Sequence, residues 1–149
     1  MILLDTNILS ELMQPQADAN VVAWLDQHDS ECLMISAVTA AELLYGIGRL
    51  PAGKRKADLL AAADTMLNQD FADRVLPFDA LAAARYATLV VHREQSGRPI
   101  GMADAQIAAI CLSHNAVLAT RNTKDFVDIG LPLINPWLAA ETDLAGSLG

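Results

Sequence analysis

The chain has 149 residues, of which 53% are hydrophobic, 19% charged and 5% aromatic, with a formal net charge of -8. This length can bury one self-sufficient core, built here from Ala, Leu, Val and Ile, and the composition excludes a disordered chain. The acidity argues against tight, indiscriminate binding to nucleic acid, because affinity for phosphates normally comes from a basic footprint.

No apolar run approaches the ~20 residues that span a bilayer, and Met1-Ile2-Leu3-Leu4-Asp5 reaches a carboxylate too early for a signal peptide. A cytoplasmic location without membrane contact is the expectation. Residues 1–140 are expected to form a single domain and 141–149 a flexible C-terminal tail.

Ile2 to Leu4 is a short apolar run that stops at Asp5-Thr6-Asn7, residues that favour helix N-caps, which predicts a strand and then a helix start. Val22, Trp24 and Leu25 lie around a helical period between Ala19 and His28, and Cys32 to Ile35 is a brief buried strand. Ser36 can cap a helix from Ala37 to Leu50 that ends near Pro51-Ala52-Gly53, and a second helix begins at Lys54 and continues past Met66. Arg74 to Phe78 reads as a third strand, and Asp79 as the N-cap of a helix reaching Gln95, broken by Ser96-Gly97-Arg98-Pro99. A very apolar helix from Met102 to His114 precedes a strand over Ala116 to Thr120, and Pro132 to Ile134 is a short last strand. Strands separated by helices at this spacing call for a parallel sheet covered by helices on both faces.

Cys32 and Cys111 have no CxxC spacing and read as buried free thiols. His28, His92 and His114 each fall near a helix end, and no two share a metal-ligand spacing, so they read as structural or surface residues.

Three acidic residues do not fit a solvated surface. Asp5 ends an apolar strand, Glu42 interrupts Val38-Thr39-Ala40-Ala41-Glu42-Leu43-Leu44, and Asp104 is the only charge from Ile100 to Leu112. Burying a carboxylate is costly unless it is paired or bound to a cation. In open parallel sheets ligands collect beyond the carboxyl ends of the strands, where strand order reverses, and Asp5 and Asn122 both follow strands. If the three carboxylates converge there, they repel one another unless a divalent cation intervenes, and an all-oxygen donor set suits Mg2+ or Mn2+. Each has a plainer alternative: Asp5 as a helix cap, Asp104 as a partner of the helix dipole, Glu42 in an ion pair with an Arg.

The runs Leu3-Leu4-Asp5-Thr6-Asn7-Ile8-Leu9, Ser36-Ala37-Val38-Thr39-Ala40-Ala41-Glu42-Leu43 and Ala103-Asp104-Ala105-Gln106-Ile107-Ala108-Ala109 resemble, in order and spacing, the motifs of the PIN-domain family. Leu118-Ala119-Thr120-Arg121-Asn122-Thr123-Lys124-Asp125-Phe126 looks like its fourth motif, and Asn135-Pro136-Trp137 like the ending of FitB-like members of the VapC toxins. The resemblance implies a three-layer α/β/α sandwich with a five-stranded parallel sheet. It also implies Mg2+ or Mn2+ held by acidic side chains, hydrolysis of single-stranded or loop RNA, the toxin role in a type II toxin–antitoxin pair, and a homodimer. Asp5, Glu42 and Asp104 match the family's three acidic positions. The fourth, commonly Asp, is Asn122 here, which keeps a carbonyl but loses a charge, and one firmly bound metal is therefore the expectation.

Thr6, Asn7, Thr120 and Arg121 are candidate supporting residues, with capping, turn formation and plain solvent exposure as the alternatives. Asp125 is a candidate substitute carboxylate, or simply a turn residue. The densest basic cluster, Arg49, Lys54, Arg55 and Lys56, with Arg98 and Arg121 apart from it, is either a grip for RNA or a solvated connection. The expected partners are the RNA substrate and a cognate antitoxin, whose apolar residues would lie beside Leu43, Leu44 and Ile47 while a basic one covers the carboxylates; direct DNA binding is not expected. Two other readings stay open: a non-catalytic PIN-like binding module whose acidic pocket receives a basic segment, and an aspartyl-phosphate phosphotransferase using Asp5.

Overall fold

A computed structural model describes residues 1–138, so the expected tail over 141–149 and the last two residues of the expected domain lie outside the described residues. Five short apolar runs form β1 (Ile2–Leu4), β2 (Leu33–Ser36), β3 (Val75–Leu76), β4 (Val117–Ala119) and β5 (Leu133–Ile134). Between them lie α1 (Thr6–Leu12), α2 (Ala19–Asp26), α3 (Ala37–Gly48), α4 (Lys54–Thr65), α5 (Ala80–Gln95) and α6 (Met102–Ser113).

All four strand pairings are parallel, in the order β3-β2-β1-β4-β5. Parallel neighbours need long crossovers, and here these are helices that cover both faces of the sheet. Alternation along each strand divides the core in two. Leu3 and Leu118 pack with Leu89 of α5 and Ile107, Ile110 and Cys111 of α6. Leu4, Ile35 and Ala119 face the other way, onto Ile8 and Leu9 of α1, Val21 and Trp24 of α2 and Leu43 and Ile47 of α3. The three-layer sandwich is the expected one.

Local chemistry sets the helix starts. Asp5, Ser36 and Asp79 accept the N–H groups of Thr6, Thr39 and Ala82, satisfying donors that a helix N-terminus leaves open. The third strand is shorter than expected. Pro77 lacks a ladder donor, so the strand stops at Leu76; ahead of Val75, Arg74 O still accepts the Ile35 N–H at 3.1 Å and its Nη1 donates to Leu33 O at 3.0 Å. The helix expected to run past Met66 ends at Thr65 and continues as one wider turn, Met66–Asp70.

Cys111 is buried in α6 as expected, and burial pushes its thiol up to about 12. Cys32 is exposed, against expectation. It belongs to a 3-10 turn, Ser30–Cys32, that delivers the chain to β2, and burial begins one residue later at Leu33. His28 packs edge-on against Trp24, with ring centroids 4.7 Å apart. No helix among the described residues is long and apolar enough to cross a membrane.

The chain runs from β1 outward through β2 to β3 on one side, then returns to β4 and β5 on the other. The carboxyl ends of β1 and β4 therefore flank the switch point, where the crossovers diverge and leave a crevice.

Candidate active site

Asp5 sits directly beyond β1, and its N–H donates to Ala119 O at 2.9 Å, so the sheet itself fixes its backbone. The side chain is 5% exposed. Its Oδ1 accepts the Thr6 N–H at 2.8 Å and its Oδ2 accepts the Thr120 hydroxyl at 2.7 Å. Thr120 follows β4, so that bond closes the crevice floor between the two strands. Asn7 adds a longer contact, Nδ2 to Oδ2 at 3.4 Å, and also donates to Thr120 Oγ1 at 3.2 Å.

Glu42 is half-buried in α3 and its Oε1 accepts the Thr6 hydroxyl at 2.7 Å. That hydroxyl also lies 3.3 Å from Thr39 Oγ1, but its one proton favours the shorter, charge-assisted contact. Thr6 thus ties α1 to α3 through its side chain and Asp5 through its N–H. Asp104 is the third residue of α6, also half-buried, where the helix dipole favours an anion.

Asp5, Glu42 and Asp104 line one cavity of about 440 Å³, together with Arg121, Asn122 and Trp137. Burial raises the Asp5 carboxyl above its ordinary range, the Thr120 and Thr6 hydrogen bonds oppose the shift, and the charges of Glu42 and Asp125 add to it. Asp104 is pushed up to about 6, first by burial and then by the charges of Asp5, Asp125 and Glu42. None of the three has a cationic partner: among the described residues the one ion pair is Arg98–Asp128, at 2.7 Å. The ion pair considered for Glu42 is absent among those residues, and the hydroxyl of Thr6 takes its place.

This donor set fits a hard divalent cation in an open site. No group of three or more His, Cys, Asp or Glu side chains among the described residues is gathered closely enough to hold an ion as it stands. Magnesium is ordinarily bound in that way, through one or two carboxylates with water and substrate phosphate completing the shell.

Asn122 lines the cavity, but its hydrogen bond is made by the backbone, N–H to Thr120 Oγ1 at 3.1 Å. Asp125 stands within electrostatic reach of Asp5 and Asp104, in the 3-10 turn Thr123–Phe126. Sequence reasoning missed what holds it. Arg93, 4% exposed, donates through Nη2 to Asp125 O at 2.9 Å. An arginine amid His92, Glu94 and Gln95 carries no signal of burial.

The basic cluster does not line the carboxylate cavity. Arg49 stacks over Tyr45 at 5.5 Å, Lys56 Nζ donates to Gly48 O at 3.0 Å, and Arg98 is engaged with Asp128. Lys54 and Arg55 instead edge a second cleft of about 570 Å³, an apolar groove lined by Met13, Leu43, Gly46, Ile47 and Leu59. The groove shares Thr6 and Glu42 with the cavity. Leu44, expected beside it, is 41% exposed and outside its lining, whereas Leu43 and Ile47 line it. Of the basic residues considered for substrate grip, Arg121 alone lines the cavity.

The family described as PIN domain matches residues 2–131. Over 137 residues the chain is 44% identical to the VapC ribonuclease Y4jK of Sinorhizobium fredii, covering 92% of this chain and 98% of that one. Toxin FitB of Neisseria gonorrhoeae is 42% identical over 137 residues, 92% of this chain and 99% of that one. The solved structure of FitAB bound to an IR36 DNA fragment superposes with a TM-score of 0.86 at 41% identity, over 92% of this chain and 96% of that chain.

Proposed function

We propose that this chain, which belongs to the PIN-domain family, is a Mg2+- or Mn2+-dependent endoribonuclease and the toxin of a toxin–antitoxin pair. The supporting observation is one arrangement: carboxylates from three separate elements, none neutralised by a side-chain cation, lining one cavity at the switch point of the sheet. The names of the relatives, a ribonuclease and a toxin, point the same way.

Asp5, Glu42 and Asp104 would hold the cation between them, one or two directly and the rest through its water. When bound, it supplies positive charge against the phosphate oxygens and makes a water more acidic, the two contributions that phosphodiester hydrolysis at neutral pH needs. The chain's own residues do the positioning. Thr120 and the Thr6 N–H lock both oxygens of Asp5 in place. Thr6 Oγ1 fixes Glu42 Oε1, leaving Oε2 without a hydrogen bond among the described residues and able to orient the attacking water or take its proton. Asn122 offers an amide rather than a charge to the substrate, which suits one firmly held ion over two.

The test is RNA cleavage with added Mg2+ or Mn2+, with EDTA, and in Asp5→Asn, Glu42→Gln and Asp104→Asn. Cleavage is expected to need the metal and all three carboxylates. Activity that survives every substitution overturns the assignment.

The groove supports a second role for the same site. A partner segment with apolar residues along Met13, Leu43, Ile47 and Leu59 would arrive at Glu42, where a basic side chain can cover the carboxylates. That is the chemistry of an inhibitory antitoxin. Cleavage unchanged at saturating partner would count against inhibition here. Phosphotransfer through Asp5 finds less support, since both its oxygens already accept hydrogen bonds. A homodimer is part of the proposal, to be tested by sedimentation.

A further inference from the structure

We propose that Arg121 and Trp137 form a stacking ledge at the mouth of the carboxylate cavity, on which an unpaired nucleobase of the RNA rests beside the phosphate to be cleaved. The inference rests on the nuclease reading above and adds to it the part of the substrate that is recognised.

The Arg121 guanidinium carbon lies 5.0 Å over the centre of the Trp137 ring. Both residues line the same cavity as Asp5 and Asp104. The ledge is braced. Trp137 N–H donates to Asn135 Oδ1 at 3.0 Å, and Trp137 O accepts from Asn20 Nδ2 at 3.1 Å. Asn135 Nδ2 in turn reaches Arg121 O at 3.4 Å, and Arg121 N–H donates to Asn7 Oδ1 at 3.3 Å. Side chains from α1, from α2 and from the segment after β5 thus fix the backbone under both planar groups.

Arg121 is exposed, and it is the one Lys or Arg among the described lining residues of a cavity lined by four carboxylates, those of Asp5, Glu11, Glu42 and Asp104. It pairs with none of them within the described residues and lies over an indole instead. A guanidinium held that way is a flat cation, the kind of surface on which unstacked bases settle. A base inside a duplex has both faces covered, so the ledge selects single-stranded RNA or a loop. Stacking also resolves a difficulty of composition. A net charge of -8 argues against tight gripping of RNA by general attraction to phosphates, and a π-face gives affinity without it. A basic peptide is the poorer occupant of this wall, because it would meet Arg121 as a like charge.

The experiment uses the full chain and a short single-stranded RNA, intact or carrying one abasic nucleotide at successive positions. Binding is read by fluorescence anisotropy in the Asp104→Asn background, and cleavage in the otherwise unaltered protein with Mn2+. Adding Trp137→Ala or Arg121→Ala is expected to weaken binding of intact RNA by about 5- to 150-fold, the range found when a base–aromatic stack is removed. Trp137→Phe is expected to restore most of it. One abasic position should reproduce the loss when the ledge is intact and add nothing once Trp137 is Ala. In cleavage, KM rises with kcat unchanged.

Unchanged binding by both alanine variants, or neutrality of every abasic position, overturns the ledge while leaving the nuclease assignment untouched. Ledge-dependent binding without cleavage by the unaltered protein in Mg2+ or Mn2+ overturns the nuclease assignment instead. If Trp137→Ala fails to fold by circular dichroism, Arg121→Ala and the abasic series decide.

Discussion

Two clefts meet at Thr6 and Glu42, and they are opposites. The cavity over β1 and β4 is walled by carboxylates, amides and one stacked arginine, whereas the groove between α1, α3 and α4 is walled by Leu43, Ile47, Leu59 and Met13. Helices α1 and α3 serve both: Thr6 and Glu42 stand on the dividing line, and Leu43 and Ile47 turn toward the groove. The difference teaches that chemistry and recognition are separated here by the width of a side chain. A partner can be anchored entirely by apolar contact and still place one group on the carboxylates of the cavity.

The largest test of that separation removes chemistry from the cavity alone. Asp104→Asn is expected to lower RNA cleavage by at least about 10²-fold, the scale of a lost catalytic group. It should also raise the melting temperature of the metal-free protein at pH 7, because the substitution deletes a half-buried charge that partial burial and three neighbouring carboxylates disfavour. Partner binding through the groove should survive.

Next in size is the pH dependence. Asp104 has an ordinary value of 3.8 and is raised to about 6 in the fold, so between those values the folded protein binds more protons than the unfolded chain. Its contribution to metal-free stability is fully present below pH 4 and is lost as pH rises through 6. The melting advantage of Asp104→Asn over the unaltered protein should therefore shrink from pH 7 to pH 5. Mn2+ competes with the same proton, and its affinity, measured by calorimetry, should fall about tenfold over that interval.

Blocking the groove probes the other side. Gly46 is exposed on α3, and a Cβ there would meet no atom within 4 Å. Gly46→Leu fills groove space and is expected to weaken inhibition by a partner roughly fivefold, about 1 kcal/mol, in a titration of cleavage against partner. Equal loss of inhibition and of cleavage would mean that the clefts are not separable. The smallest effect is Gly46→Ala, which removes a mid-helix glycine and should stabilise by about 0.5–1 kcal/mol in urea denaturation.

What was legible in the sequence follows from energetics. Asp5, Glu42 and Asp104 stood out because a charge in an apolar run is costly and demands a reason. The sandwich was legible because runs such as Ile2–Leu4 and Val117–Ala119 alternate with capped helices at crossover spacing. Arg93 was invisible, since long polar side chains look solvated until the backbone carbonyl they serve is known. The bond from Arg74 to Leu33 O, which spans 41 residues, was equally hidden. Cys32 was misplaced because an apolar run does not show at which residue a turn becomes a strand. The stacking of Arg121 on Trp137 joins segments on either side of β5, and only the folded chain brings them together.

The hydrogen bond from Thr120 to Asp5 spans 115 positions along the chain. During synthesis the N-terminal segment emerges first, and β1 can pair with β2 long before β4 exists. Until then β1 has an open edge, Asp5 lacks the hydroxyl that holds its Oδ2, and the wall carrying Arg121 and Trp137 is absent. The proposed nuclease site is thereby incomplete while most of the chain is still being translated. The central position of its first strand acts as a timer.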